Sequence, residues 1–341
     1  MSRYGPALAC ATEAAQRAGE LLRREFHHPG GPRGRGSHAD IDPVAEQLIR
    51  GVLLAAFPNY GYLGEELGAG PAPRDPEGHL WLVDPNDATT AFLKGFRGAS
   101  VSIALLREGE PVLGVVYAYA APDDEGDLIA WAEGAGPVRR NGQEAPRQWP
   151  DRVGPECTVL LSHQADRKAA ANARLVHPMR FRAVPSIAYR LALVAVGEGD
   201  AAVSLSRPVG WDYAAGHALL RGAGAELWSR QHEPVRYDRH GHSQCGGHCF
   251  GGAPAVVREL AGREWATLQQ APRENGPWCW PAAGRVVSDA GRLARAQGCL
   301  LGQCAGDALG SLVEFQSAEA IARRRLVDSG SWDTIAGQPT D

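Results

Sequence analysis

The chain has 341 residues, 44% hydrophobic and 22% charged, with a formal net charge of −4 at pH 7. That balance suits one large globular domain or two ordinary ones. It gives no footing for a nucleic acid polymer or a membrane surface as partner, and no apolar run reaches the ~18 residues of a transmembrane helix. Seven cysteines, an odd number at irregular spacing, argue against a secreted disulfide framework. The N-terminus mixes Ala and Leu with Glu and Arg and does not read as a signal peptide, so the expected location is the cytoplasm.

Residues 7–26 carry apolar side chains at Leu8, Ala11, Ala15, Ala18, Leu21 and Leu22, which predicts an amphipathic helix of about five turns. His28 to Ser37, rich in Gly, Pro and Arg, predicts a loop. Its Arg33 and Arg35 read as solvated side chains, with phosphate capture as the alternative. Asp42 before Pro43 predicts the start of a second helix, with Val44, Leu48, Val52 and Leu53 apolar. Asp40 is a second acid close by. Gly64-Glu65-Glu66 follows; adjacent residues of an extended segment point to opposite sides, so one Glu of the two would face a site.

Leu80 to Val83 predicts a short buried strand, ended by Asp84-Pro85-Asn86-Asp87. Two carboxylates three residues apart on such a turn can face one point. Held close, they need a cation, or one must take a proton. With no Cys or His beside them the preferred cation is hard and oxygen-loving, Mg²⁺ before Zn²⁺. Thr89 and Thr90 add hydroxyls, and backbone N–H groups after the turn can point at an anion if a helix starts there. The stretch has the parts of a metal-assisted phosphate site; an ordinary capped Asp-Pro turn is the competing reading.

Ala99 to Leu105 and Val112 to Tyr119 predict a hairpin around Glu108-Gly109-Glu110, with a further strand at Ile129 to Glu133. Three prolines in 145–155 mark a junction. Strands at Thr158–Leu161, Phe181–Val184 and Ala201–Val203 then flank a helix from Ser186 to Val196. Trp211-Asp212 opens another helix running through His217, where Asp212 also suits an N-cap. His240, His242, Cys245, His248 and Cys249 crowd ten residues of Gly-rich loop, with structural zinc as the alternative to an unliganded loop.

Taken in order, G-E-E, D-P-x-D-x-T-x-x-F and W-D-x-A-A-G-H resemble the inositol monophosphatase superfamily, over about residues 7–260. The resemblance implies an α/β fold, the layered α/β/α/β sandwich of the sugar phosphatases, in one domain over 1–261. It implies a Mg²⁺-dependent phosphomonoesterase acting on a small sugar, inositol or nucleotide phosphate. Glu65, Asp84 and the Asn86 carbonyl would hold one Mg²⁺ and Asp84, Asp87 and Asp212 another, two or three ions in all. Asp42, Glu66 and Thr89 would orient the attacking water. Backbone N–H groups of Ala88, Thr89 and Thr90 would cradle the phosphate. Ala-Ala-Gly-His looks more like the bisphosphate nucleotidase branch. Ala39 and Ala88 depart from the family's usual Thr and Gly. Dimers are common in the family, which makes a homodimer an expectation. The alternative from another class is a domain that binds nucleotide and regulates without catalysing.

Residues 262–289 read as a linker. Beyond them Gly298, Gly302, Gly306 and Gly310 recur every four residues, one small-residue face on a helix. The run resembles the N-terminus of the ADP-ribosylglycohydrolase family, and Gly337-Gln338-Pro339-Thr340-Asp341 resembles the start of that family's metal motif. By that resemblance Glu314 is an active-site Glu, and Thr340 and Asp341 are magnesium ligands. The expectation is an incomplete helical segment over 290–341, inactive as a glycohydrolase, from a phosphatase–glycohydrolase fusion.

Overall fold

Helix α1 (Gly5–Phe26) buries Ala7, Ala11, Ala14, Ala15, Ala18 and Leu22. A face this rich in alanine lies flat on whatever it covers. Gly19 brings it closer still, since a Cβ there would overlap the Tyr117 ring. Helix α2 (Asp42–Ala56) packs beside it through Ala45, Ile49 and Leu53. The computed structural model describes residues 2–206, 208–243 and 247–273. The chain divides into a unit Met1–Gly276 and a second, Pro277–Asp341. The glycohydrolase-like segment, with Glu314, Thr340 and Asp341, lies outside the described residues.

Both helices cover one face of an eight-stranded sheet. Its centre is β1 (Gly61–Gly64), β2 (His79–Asp87), β3 (Ser100–Arg107), β4 (Glu110–Ala118) and β5 (Asp127–Ala132), in that spatial order, with two-residue ladders at the edges. β1 and β2 are parallel; the other neighbours are antiparallel. Successive side chains on β2 alternate between two cores. Trp81 and Val83 join α1 and α2, while Leu80 and Leu82 face the other way.

That other face packs on α5 (Ile187–Ala195) and α6 (Gly210–Gly222). Every residue of α5 is buried, including Arg190, whose guanidinium donates to the Val184 and Pro185 carbonyls. Beyond it lies a five-stranded sheet built from β6 (Thr158–Leu161), β7 (Arg180–Ala183), β8 (Ala201–Ser204), β9 (Glu226–Ser229) and β10 (Cys249–Gly252), ordered β7-β6-β8-β10-β9. Its outer face is closed by α4 (Ala169–Val176) and α7 (Pro254–Ala261). The sandwich therefore alternates helices and sheets, with a last helical layer on the outside.

Two local expectations change. Pro85 does not end the strand: β2 runs on to Asp87 through a bulge in its register with β3. A bulge is where a strand tolerates a residue that cannot donate to the ladder. The start of the expected linker is packed rather than loose. Trp265 is buried against Phe250, with its indole N–H donated to the Leu260 carbonyl, and a short helix follows at Thr267–Gln270.

Candidate active site

The parallel pair β1 and β2 ends side by side, and the Glu65 amide donates to the Val83 carbonyl at 3.1 Å. That puts Glu65 against Asp84. The bulge carries Pro85 and Asn86 out of register between Asp84 and Asp87, which pair with Ser102 and Ser100 of β3. Asp84 braces the turn by accepting the Asn86 amide at 2.8 Å. Without that extra length of chain, Asp84 and Asp87 would alternate to opposite faces of a regular strand.

Asp87 is held from the second half of the unit. Its Oδ2 accepts from the Ser186 hydroxyl at 2.5 Å and from the Ala188 amide at 2.8 Å. Ser186 caps α5 through the Tyr189 amide and touches the Ser100 hydroxyl at 2.9 Å. Asp212 is the third residue of α6, and its Oδ2 accepts the Val209 amide at 2.7 Å. In each case Oδ2 is engaged in holding the chain.

Asp42 opens α2 and is buried, at 1% exposure. It accepts from Asn86 Nδ2 at 2.9 Å on one oxygen, and from Thr89 Oγ1 at 3.2 Å and the Ala39 amide at 3.3 Å on the other. Glu66 lies near enough for its charge to raise Asp42. One turn along α2, Glu46 accepts the amides of Glu66 and Leu67 and the Tyr62 hydroxyl. It thereby clamps the loop that carries Glu65 and Glu66.

The acids crowd one another. Burial, then the charges of Glu65, Asp87 and Asp212, push the Asp84 carboxyl well above its ordinary range. Burial and the Asp87 charge do the same for Asp212. Glu65 is raised by desolvation. Asp87 is raised by burial, against its hydrogen bonds and the nearby Arg190 guanidinium. Asp42 is pushed up to about 7, chiefly by burial. Four acidic oxygen donors crowded in this way suit a hard divalent cation such as Mg²⁺. The N-termini of α2, the short α3 (Thr89–Phe92), α5 and α6 all open at these residues, adding positive potential.

Ala88 sits in the left-handed region, at φ 80° and ψ 38°, and turns the chain into α3. Among the described residues, the amides of Ala88, Thr89 and Thr90 donate to no other group of the chain.

Other singled-out residues lie elsewhere. Arg33 is neither freely solvated nor turned to a phosphate: it forms a bidentate pair with buried Glu25. Arg35 and Asp40 are exposed on or beside a small hairpin. His217 is buried further along α6 and bonds the Tyr237 hydroxyl at 3.1 Å, so the histidine that ends the Trp-Asp motif is a packing residue. In the histidine-rich loop, Cys245 lies outside the described residues, His240 and His242 are exposed, and Cys249 is buried in β10. Asp75, Glu77 and His79 bring three donor atoms together at the start of β2. About 17 Å of strand separates them from Asp84, and both His79 nitrogens already bond, to Asp75 and to Tyr4. Three contributors have no assigned role in the sequence reading. Glu46 has a signal, four residues after Asp42 and so on the same helix face. Ser186 has the ordinary signature of an N-cap, and Tyr119 has none.

The inositol monophosphatase family model matches residues 4–259, and the ADP-ribosylglycohydrolase model matches 288–341. The Nus factor SuhB of Xylella fastidiosa is 31% identical over 251 residues, 70% of this chain and 88% of its own. The 3′(2′),5′-bisphosphate nucleotidase CysQ of Escherichia coli K12 is 30% identical over 237 residues, 66% of this chain and 91% of its own. An inositol monophosphatase from Anabaena (Nostoc) superposes with a TM-score of 0.61 at 24% identity, covering 80% of this chain and 99% of that one. The Thermotoga maritima IMPase gives 0.62 at 21%, covering 78% and 99%. These superpositions establish the fold, and the family model spans the unit from its first helix into α7. The chain belongs to the inositol monophosphatase family.

Proposed function

We propose that the chain is a Mg²⁺-dependent phosphomonoesterase that hydrolyses a small sugar, inositol or nucleotide phosphate by attack of water. The crowding of Glu65, Asp84, Asp87 and Asp212 carries this reading, because anions held so close cost stability unless cations join them. Those four side chains and the Asn86 carbonyl would hold two or three Mg²⁺. Bound there, the ions supply positive charge and Lewis acidity to a phosphate and to its attacking water.

The chain's own groups do the rest. The Thr89 hydroxyl lies between the Asn86 carbonyl, at 3.0 Å, and Asp42. It can hand its proton to Asp42 while taking one from the water. Burial raises the Asp42 carboxyl in the metal-free chain, which makes it a better proton acceptor than an exposed carboxylate. Glu66 orients the same water. The unengaged amides of Ala88, Thr89 and Thr90 face the phosphate oxygens as fixed donors.

The Trp-Asp-Tyr-Ala-Ala-Gly-His segment favours a nucleotide phosphate over an inositol phosphate, and the likeness to CysQ keeps a nucleotide among the candidates. The glycohydrolase-like segment adds a phosphorylated ADP-ribose to the candidates. We place the enzyme in the cytoplasm, as a homodimer.

The test is phosphate release from 3′-phosphoadenosine 5′-phosphate, inositol 1-phosphate and a phosphorylated ADP-ribose, with Mg²⁺, with and without Li⁺, and in Asp84→Asn. Release that needs Mg²⁺ and is lost in the variant supports the reading, and the best substrate names the branch. The left-handed Ala88 favours the second reading, a nucleotide-binding regulatory domain. Nucleotide binding with no turnover of any substrate would select it.

A further inference from the structure

Asn86 faces two ways. Its carbonyl is assigned above to a metal, and its side chain ends on Asp42. Nδ2 donates to Asp42 Oδ1 at 2.9 Å, and Oδ1 accepts from the Tyr119 hydroxyl at 2.6 Å. Asp42, Asn86 and Tyr119 are each only 1% exposed, so water does not compete for these bonds.

The chemistry of the three groups fixes the order. An ionised carboxylate only accepts, so it requires the nitrogen end of the amide. A carboxamide alone could turn its oxygen to Asp42. The buried Tyr119 hydroxyl needs an acceptor and takes that oxygen. Tyr119 is itself held, since its Cβ lies against α1 at Gly19, where a Cβ on the helix would come within 3.0 Å. With Oδ1 of Asp42 tied to Asn86, Oδ2 is left to Thr89 and to the Ala39 amide.

We infer that Tyr119 and Asn86 are positioning residues that set the rotation of the Asp42 carboxylate, so that one fixed oxygen faces Thr89 and the attacking water. This rests on the phosphatase reading above. The Asn86 amide spends one end on Asp42 and the other on Tyr119, whose hydroxyl is spent on Asn86, so both side chains act through Asp42.

The experiment measures steady-state phosphate release by the full chain in Tyr119→Phe, Asn86→Leu and the double variant, each with Asp42 intact and as Asp42→Asn. Expected with Asp42 intact is a fall in kcat of about tenfold for Tyr119→Phe and about a hundredfold for Asn86→Leu, the scale of a misaligned reacting group. KM and the half-saturating Mg²⁺ should stay within about twofold, because the Asn86 carbonyl is kept. The double variant should be no worse than Asn86→Leu, and none of the changes should matter in Asp42→Asn. Losses that persist in Asp42→Asn, or that appear in KM or Mg²⁺ affinity with kcat intact, overturn the inference.

A second readout needs no turnover. Hydrogen exchange of the Asn86 side-chain amide, followed by NMR, should speed up at least about tenfold in Tyr119→Phe and in Asp42→Ala. Unchanged exchange in both overturns the inference even if Asn86→Leu fails to fold. A wild type that turns over no substrate removes the phosphatase reading, and the amide exchange alone then decides whether the pair holds Asp42.

Discussion

Asp87 and Ala188 stand 101 residues apart in sequence and meet through one hydrogen bond of 2.8 Å, from the Ala188 amide to Asp87 Oδ2. The bond ties the bulged end of β2 to the first turn of α5. Asp87→Asn keeps an acceptor for α5 and removes a charge from the crowded set. We expect it to cut kcat/KM by at least about a hundredfold. In EDTA it should raise the melting temperature by about 2–4 °C, the response of a unit this size to about 1 kcal/mol. Calorimetry with and without EDTA, beside kinetics, checks both halves. A melting temperature that drops in EDTA would mean the repulsion at this position is not a burden on the fold.

Glu46 and Gly64 make a second prediction. A Cβ on Gly64 would run into Glu46 Oε1, the oxygen that receives the Leu67 amide and the Tyr62 hydroxyl. Gly64→Ala should therefore loosen the Glu65–Glu66 loop. The expected cost is about 1–3 kcal/mol, as for other overpacked positions. The half-saturating Mg²⁺ should rise while KM at saturating Mg²⁺ changes little. Urea unfolding and a Mg²⁺ titration of activity report the two effects separately.

Ala88 adopts a backbone conformation that disfavours a Cβ by about 1–2 kcal/mol. Ala88→Gly should relieve it and raise the melting temperature by about 2 °C or more. If the strain also displaces the Thr89 and Thr90 amides, kcat should rise in the same variant. A lowered melting temperature would show that the added conformational entropy of the unfolded chain outweighs the relief of strain.

The acids also fix a dependence on pH. In the metal-free chain Asp42, Asp84, Asp87, Asp212 and Glu65 are all raised chiefly by burial, with the charge of neighbouring acids adding to it at all but Asp87. The folded chain then holds protons that the unfolded chain has given up, so this contribution is full below the ordinary carboxylate range and fades as pH rises through the folded values, about 7 at Asp42. His163, pushed down to about 4 by burial, acts in the opposite sense below its ordinary 6.5, so the clean window is pH 6.5–8. In EDTA the melting temperature should fall across that window. Mg²⁺ binding should flatten the trend and release protons, measurable by titration calorimetry in buffers of different ionisation enthalpy. Binding with no proton release would mean the acids are already ionised without metal.

Much of this architecture is legible in the sequence because it is written in local spacing. Leu80 to Val83 announces a strand buried on both faces, and the run from Ser186 to Val196 announces a helix buried on all sides. The acids at 84 and 87 suggest a shared focus only if the chain leaves regular strand geometry between them, as the bulge makes it do. Pro85 misleads, because a proline that cannot join a ladder can still sit in a bulge, and only the pairing with Ser100 and Ser102 reveals it. Tyr119 carries no signal, since its partner on the bulge is 33 residues away and any tyrosine just past a buried strand reads the same. Trp265 reads as linker because it stands in a stretch of Pro, Gly and Trp with no clear period. Its place against Phe250 depends on where β10 lies.

β2 gives Trp81 and Val83 to one core and Leu80 and Leu82 to another. One strand is thus the common wall of two compartments. Neither compartment can come apart while its neighbour keeps its shape, so heat should dismantle both in one cooperative step. The bulge that carries Asp84 and Asp87 sits at the end of that wall. The acids proposed to hold Mg²⁺ should therefore stay in register until the whole unit gives way, and any loss of Mg²⁺ binding on heating should coincide with the loss of the fold.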